Sequence, residues 1–319
     1  MKNPLVSIVV ITYNSSKYIL ETLESCKAQT YRNIELIISD DCSTDDTIQI
    51  CRGWLKANAE RFSDVKVLEL NKNTGVAGNL NRGVAASRGI WFKFVAGDDL
   101  LYSHCISYNM QLLDRMPSDC CIINTVKDVF KVEDGEKLIT NPKGRKERRR
   151  IFFKEGISAE HQLQLAVRFI RPSVNGHFIK KKMYIDIGGC DEKHPMHEDR
   201  PLLIRILSNG YKIYGSDNAT VMYRIHGESI FNSGRDQLYT NWFYKSNIPV
   251  IKDYYFCYFT RLEKISYNYS FAVAKLFKVL HINSANYLCK AAHRLFLLPF
   301  LAVKKYFQYR TIMKIKIIR

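Results

Sequence analysis

Two pairs of adjacent carboxylates are the residues in this chain best placed to do chemistry. Asp98 and Asp99 follow the apolar and aromatic run Trp91-Phe92-Lys93-Phe94-Val95-Ala96-Gly97, and Glu198 and Asp199 follow His197 just ahead of an amphipathic stretch. A buried strand that runs into adjacent acids brings charge to a sheet edge, where a ligand reaches it. Burying such charge without a partner is costly. A divalent cation held by hard oxygen ligands is one partner that fits, and an acidic turn leading into a helix is the plainer alternative.

The elements that must position these acids can be read from hydrophobic pattern. Leu5 to Ile11 is β-branched and reads as a buried strand, followed by a turn at Asn14 and a helix through Ile19, Leu23 and Cys26. Glu35 to Ser39 is a second strand, with the polar turn from Asp40 to Asp46 and a helix from Thr47 to Ala57. Val65 to Leu70 is a third strand, Asn71 to Gly78 a glycine and asparagine loop, Leu80 to Ala86 a helix, and Ile90 to Val95 the strand that reaches Asp98. Strands alternating with helices predict an α/β fold with a mostly parallel sheet and helices on both faces. Ligands in such sheets bind outside the carboxyl ends of the strands, so the turns at Tyr13, Asp41, Gly75 and Asp98 are expected to line one rim.

Beyond Asp99 the reading is a helix from Ser103 to Met116, a strand from Cys120 to Thr125, and an exposed basic loop or hairpin from Lys131 to Lys154. Helices are expected over Ser158 to Arg168, Lys180 to Ile187 and Pro201 to Ser208, and strands over Val174 to Ile179, Lys212 to Tyr214 and Ala219 to Arg224. From Asn241 onward the chain is aromatic, basic and expected to be helical.

The 319 residues carry a net charge of +17, which calls for an anionic partner: nucleic acid, an anionic membrane surface or a phosphorylated substrate. The nine cysteines have no metal-ligand spacing, and the adjacent Cys120 and Cys121 do not fit a disulfide framework, so reduced thiols in a cytoplasm are expected. Leu5 to Ile11 is too short for a signal peptide core. Leu295 to Val303 is broken by Pro299 and is too short to span a bilayer.

Taken together, several stretches resemble the family 2 glycosyltransferases of the GT-A fold, over about Pro4 to Ser229. They are Val6-Ser7-Ile8-Val9-Val10-Ile11-Thr12-Tyr13-Asn14, Asp40-Asp41-Cys42-Ser43-Thr44-Asp45, Asn73-Thr74-Gly75 through Gly83, and Gly97-Asp98-Asp99. Gly188-Gly189-Cys190-Asp191-Glu192, His197-Glu198-Asp199 and Tyr223-Arg224-Ile225-His226 complete the set. No single piece is specific, but their order and spacing are, and the nearest likeness is to bacterial enzymes that build capsule, O-antigen or other surface polysaccharides.

The resemblance implies roles. Thr12, Tyr13 and Asn14 form the nucleotide-sugar turn, with the Tyr13 ring against the base. Asp41 accepts the imide N–H of uracil, a donor that cytosine lacks, while Asp45 or Asp46 better suits helix capping. The Gly75 loop brings backbone N–H groups near a diphosphate. Where the family commonly has an arginine, this chain has Leu80, then Asn81 and Arg82; Arg82 is either its substitute or a solvated helix charge. Asp99 coordinates Mn²⁺ or Mg²⁺ directly, and Asp98 reaches the donor sugar or a metal-bound water. Asp199 is the general base that takes the acceptor hydroxyl's proton, and Glu198 orients the acceptor. Arg224 and His226 share one face of a strand, where either can meet the diphosphate and His226 can complete the metal shell, or be merely structural.

The expected architecture is a GT-A catalytic domain over 1–230, with a nucleotide-binding half at about 1–100 and an acceptor-binding half at 101–230, then a basic helical extension over 231–319. The expected function is inverting transfer of a sugar from a UDP-sugar to a glycan, carried on a polyprenyl diphosphate. The expected place is the cytoplasmic side, peripheral on the inner face of the cell membrane. The basic, aromatic extension reads as a membrane-surface element; nucleic acid fits its composition too but fits the motifs less well. The rivals are a transferase using another nucleotide sugar, such as a GDP-sugar, and a non-catalytic basic membrane- or nucleic-acid-binding protein on a degenerate nucleotide fold.

Overall fold

The computed structural model describes residues 3–133, 135–140, 145–169, 171–227 and 237–316. They fall into two compact units, Met1–Phe153 with Pro172–Ile225, and Lys154–Arg171 with His226–Arg319. The second unit thus takes in Lys154–Arg171, well ahead of the single boundary expected at residue 230.

In the first unit, β1 (Val6–Thr12) and β2 (Ile34–Asp40) are buried along their whole lengths, as their β-branched runs require of strands covered on both faces. With β3 (Asp64–Glu69) and β4 (Trp91–Ala96) they form a parallel sheet in the order β3-β2-β1-β4. Thr12 stands opposite Asp40, and Ile11 opposite Ala96, so the carboxyl ends of β1, β2 and β4 finish level. That register is what gathers their turns on one rim. The parallel character expected from the sequence holds over these strands, and the sheet is mixed beyond β4. There β8 (His177–Lys180) runs antiparallel to both β4 and β6 (Ile122–Glu133). β9 (Tyr214–Arg224) lies parallel to β6, β5 (Leu100–Leu101) antiparallel to β9, and β7 (Glu136–Ile139) forms a hairpin with β6.

Helices cover both faces. α1 (Ile19–Lys27), α2 (Thr47–Asn58) and α4 (Cys105–Leu113) bury Leu23, Trp54 and Ile106 in one core with Ile8, Val10, Leu36 and Val95. Each fully buried aliphatic side chain there stabilises the fold by roughly 1.5–3 kcal/mol. α3 (Gly75–Ala86) lies on the opposite face, where Gly83 comes so close to Val9 that a Cβ would sit 2.5 Å from its Cγ1.

Several elements depart from the sequence reading. α3 begins at Gly75 rather than Leu80, because Asp41 supplies an N-terminal cap from a turn that is distant in sequence. The two short strands expected before Arg224 are one continuous β9, since β6 runs on through Glu133 and pairs along it across a bulge near Val126. The basic loop is a hairpin followed by a helix, α5 (Arg145–Phe152). Within it Arg149 is buried, bonded to the Asn124 side chain at 2.6 Å and the Ser216 carbonyl at 2.6 Å. Residues 143–144 of the basic run lie outside the described residues, as do 317–319 at the basic end. α7 (Lys181–Asp186) and α8 (Arg200–Ser208) follow in this unit, and all nine cysteines are free.

The second unit is helical. It comprises α6 (Ala159–Arg168), α9 (Ile248–Tyr254), α10 (Arg261–Val279), α11 (Tyr287–Phe296) and α12 (Leu298–Lys316). A capping box between Thr260 and Glu263 starts α10, and the same Glu263 pairs with Arg168 of α6 at 3.0 Å. Pro299 sits in the first turn of α12, where its missing N–H costs nothing. Among the described residues no helix is long and apolar enough to cross a membrane.

Candidate active site

The turns that follow β1 and β2 are bonded to each other. Asn14 adopts a left-handed φ of 48°, donates its N–H to Ser43 Oγ at 2.8 Å, and accepts the Thr44 N–H on Oδ1 at 2.8 Å. Ser15 N–H donates to Thr47 Oγ1 at 2.7 Å. Between them Tyr13 leaves half of its surface exposed, a ring face free to be stacked upon. Thr12 is buried, and its Oγ1 has no partner among the described residues. Gly97 passes so close that a Cβ there would lie 2.9 Å from that oxygen, so only glycine fits.

Asp41 is buried and faces the start of α3. Its carboxylate accepts the Thr74 hydroxyl at 2.7 Å, the Gly75 N–H at 2.7 Å and the Thr74 N–H at 3.0 Å. Arg82 lies 3.5 Å from the same carboxylate, and its guanidinium donates to the Asp40 carbonyl at 3.0 Å and to Asn79 Oδ1 at 2.8 Å. Asn81 bonds the Cys190 carbonyl at 3.0 Å and Glu192 at 2.8 Å while accepting the Tyr184 hydroxyl at 2.7 Å. Gly75 has φ 80° and packs so tightly on Pro195 that a Cβ would lie 2.6 Å from it. Ala77 N–H donates to the Pro195 carbonyl at 3.1 Å. The polar groups of this loop, Arg82 included, are thus directed at protein partners: Arg82 is neither a solvated charge nor turned toward open space.

Asp99 is buried, and three elements hold it. Oδ1 accepts the Arg224 N–H at 3.0 Å, Oδ2 accepts the Asn175 amide at 2.8 Å, and its carbonyl accepts the Thr22 hydroxyl at 2.8 Å. Burial, and then the neighbouring Asp98 carboxylate, raises its pKa to about 7. Asp98 is only partly buried. The Arg224 side chain is buried too, its Nε on the Asp98 carbonyl at 2.8 Å and Nη2 on Glu21 at 3.0 Å, between the rings of Tyr18 and Phe130. β9 ends at Arg224, so the strand that was to put Arg224 and His226 on one face stops short of His226, which opens the second unit.

Asp199 caps α8, its Oδ1 accepting the Arg200 N–H at 2.6 Å, and its side chain remains 44% exposed. Burial pushes its carboxyl up, but the His197 ring and the charge and N–H of Arg200 outweigh this and hold it below the usual value. Glu198 moves the other way, raised to about 7 by burial and then by Asp199. Their surroundings thus push these adjacent acids in opposite directions.

Two residues to which the sequence reading gave no role interact electrostatically with the acid pairs. The Tyr223 hydroxyl is pushed to about 12 by burial and then by Asp99, Asp98 and Glu198, so it feels both pairs. Lys127 lies 3.7 Å from the centre of the Tyr223 ring and lowers the pKa of both Asp99 and Glu198. Lys93 and His177 are buried beneath: Lys93 donates to the carbonyls of Asn175 and His177, and both ring nitrogens of His177 lack a partner among the described residues. The β-branched and aromatic residues Val126, Val129, Phe130 and Val132 were the available signal for a longer β6.

The carboxylates of Asp98 and Asp99 suit a hard divalent cation, and the repulsion that raises Asp99 is what such an ion relieves. Among the described residues no three His, Cys, Asp or Glu side chains converge to hold an ion. Among the described residues Asp98 and Asp99 are two adjacent acids, a number with which Mg²⁺ is commonly held beside substrate phosphates.

A family model described as glycosyl transferase family 2 matches residues 7–169, just over half of the chain. The chain belongs to glycosyl transferase family 2. Its relatives include an uncharacterized glycosyltransferase of Rickettsia typhi, 25% identical over 241 residues, which cover 74% of this chain and 69% of the relative. WfaP of Escherichia coli, a UDP-Glc:alpha-D-GlcNAc-diphosphoundecaprenol beta-1,3-glucosyltransferase, is 36% identical over 110 residues, 34% of this chain and 41% of WfaP. Among solved structures, Staphylococcus aureus TarS 1–349 in complex with UDP-GlcNAc matches with a TM-score of 0.53 at 19% identity, over 93% of this chain and 71% of that one. The mannosyltransferase PcManGT of Pyrobaculum calidifontis, in complex with GDP-Man and Mn²⁺, gives 0.54 at 17% identity over 72% and 59%. At these identities the structural likeness shows the shared glycosyltransferase fold. As a member of this family, the protein is a glycosyltransferase with the GT-A α/β fold.

Proposed function

We propose that this glycosyltransferase moves a sugar from a UDP-sugar to a glycan acceptor with inversion at the anomeric carbon. The acceptor is a lipid-diphosphate-linked glycan of bacterial surface polysaccharide synthesis, met at the inner face of the cell membrane. The observation that carries the reading is the geometry of the two acid pairs: Asp99 held by the Arg224 N–H and the Asn175 amide behind the partly buried Asp98, and Asp199 capping α8 with its side chain 44% exposed. The donor and acceptor classes are supported by the name of WfaP, and the donor by the nucleotide bound to TarS.

In this reading Tyr13 stacks on the base, and Thr12 Oγ1 and Asn14 line the nucleotide turn. Asp98 and Asp99 would hold Mn²⁺ or Mg²⁺, which when bound neutralises charge on the diphosphate. Asp199, exposed and ionised, takes the proton of the acceptor hydroxyl as that oxygen bonds to the anomeric carbon and the bond to the nucleoside diphosphate breaks. A single displacement of this kind inverts configuration. Glu198 positions the acceptor beside it. Asp41, Asn81, Arg82 and Arg224 are ligand-binding mainly at one remove, by fixing α3, the loop before Asp199 and the turn of Asp98; Gly75 lets that loop close on Pro195.

The test is thermal unfolding with UDP, Mn²⁺ or both. The proposal expects both together to raise Tm well beyond either alone, and Asp98→Asn to remove that gain. A GDP-dependent gain in place of the UDP one would favour the other-nucleotide reading. No nucleotide effect at all would overturn the proposed UDP-sugar and metal reading of this site.

A further inference from the structure

α10 carries an apolar stripe on its solvent side. Leu262, Ile265, Tyr269, Ala272, Leu276 and Val279 recur at alternating spacings of three and four residues, and all six are exposed, Val279 by 72%. The opposite side of the same helix is buried through Glu263, Ser270, Phe271, Ala274 and Phe277. So α10 has already satisfied its core with one face and presents a second that nothing described in its own unit covers. Tyr269 donates its hydroxyl to the Phe296 carbonyl at 2.7 Å, which joins the stripe to α11. α11 buries no residue, and exposes Leu288 by 76% and Leu295 by 66%. A contiguous apolar patch of this kind marks an interaction surface.

Charge selects the occupant. Arg261 and Lys275 are exposed beside the stripe, Lys290 and Arg294 lie on α11, and the one acid between 261 and 296 is Glu263, buried against Arg168. The spacing alone also suits a second helix in a coiled coil. A second copy would set Arg261 and Lys275 against their own kind, with no exposed acid on this face to pair them. An anionic lipid surface takes both features at once, apolar side chains below the headgroups and basic ones among them. α12, the most basic end of the chain, does not share this design: its apolar residues are spread around the helix, and it packs against α6 and α10.

We infer that the α10–α11 face, with Ile265, Leu276 and Val279 as its apolar anchors and Arg261 and Lys275 as its headgroup contacts, docks flat on an anionic bilayer. This deepens the proposed function and rests on it only for the purpose of docking, which is to bring the enzyme to a lipid-linked acceptor. It also moves the membrane-facing element away from the basic C-terminal end.

Vesicle flotation of the full chain tests it. The protein should float with phosphatidylglycerol-rich vesicles and bind pure phosphatidylcholine vesicles at least about tenfold more weakly, since each basic residue near an anionic surface adds a factor of about five. Ile265→Ser/Leu276→Ser/Val279→Ser should weaken flotation at least about tenfold, because these side chains lose their apolar burial. Arg261→Glu/Lys275→Glu, which leaves the stripe whole, should weaken it by a similar factor and flatten its salt dependence. Failure of the wild type to float, or unchanged flotation of both variants, overturns the inference. So does a dimer that the triple variant converts to monomer, or single-stranded DNA binding that the triple variant abolishes. UDP–Mn²⁺ stabilisation in solution reports on the transferase site separately, so a negative flotation result with that gain intact sinks only the docking surface.

Discussion

Arg224 donates its backbone N–H to Asp99 Oδ1 at 3.0 Å, tying the last residue of β9 to the acid that follows β4. With the Asn175 amide on the other oxygen, the buried carboxylate has a donor at each of its atoms. Asn175→Ala removes one of them and leaves part of a buried acid unsatisfied. Urea unfolding should show a loss of about 1–3 kcal/mol, and the Tm gain from UDP with Mn²⁺ should shrink with it. An unchanged midpoint would mean that Asn175 does not support Asp99.

Asp98 is the less buried member of its pair, so its replacement separates ion binding from folding. Asp98→Asn should keep the wild-type Tm without ligand to within a few degrees, and should lose the Mn²⁺-dependent part of UDP binding in calorimetry. Chelation of the wild type should reproduce the same weakened binding. Tight metal-dependent binding by the variant would remove Asp98 from the ion's shell.

Asp41 is engaged with the first turn of α3 through the Thr74 hydroxyl and the Thr74 and Gly75 N–H groups. Asp41→Asn should therefore destabilise the chain by about 1–3 kcal/mol in chemical denaturation with no nucleotide present. A variant that is fully stable yet blind to UDP would assign Asp41 to reading the base instead.

His177 is fully buried, and burial, then Lys93 and Arg149, depress its ring to about 3. The unfolded chain binds a proton here near its ordinary value of 6.5 while the folded chain does not, so ν for the unfolded state is larger between those values. This site thus makes stability rise with pH across that window and fall as pH drops from about 6.5 toward about 3. His177→Leu should flatten that acid limb in denaturation measured against pH. A limb of the same slope in the variant would place the acid sensitivity elsewhere.

Much of the fold was legible because β1, β2 and β4 declare themselves in continuous apolar runs and end in polar turns. The positions of Tyr13, Asp98 and Asp199 were legible for the same reason: each follows a strand or starts a helix, and each keeps some exposed surface. Asn81 and Arg82 were not, because their type fits a phosphate site while their partners lie elsewhere in the chain. Asn81 is bound to Tyr184, Cys190 and Glu192, and no local pattern announces bonds that span 103 to 111 residues. The start of α3 was missed likewise, since its cap comes from Asp41. Lys93 stood inside the opening apolar run, and only the fold reveals that its ammonium reaches the Asn175 and His177 carbonyls beneath Asp99.

The central claim is that Asp199 deprotonates the acceptor during transfer from a UDP-sugar. The most direct measurement is UDP release from a panel of nucleotide sugars with Mn²⁺, comparing wild type with Asp199→Asn. Release from one UDP-sugar in preference to GDP-, CDP- and ADP-sugars is predicted, with the variant about 10²–10⁴-fold slower at unchanged UDP affinity. Turnover of the variant at the wild-type rate, or preference for a nucleotide other than UDP, would contradict it.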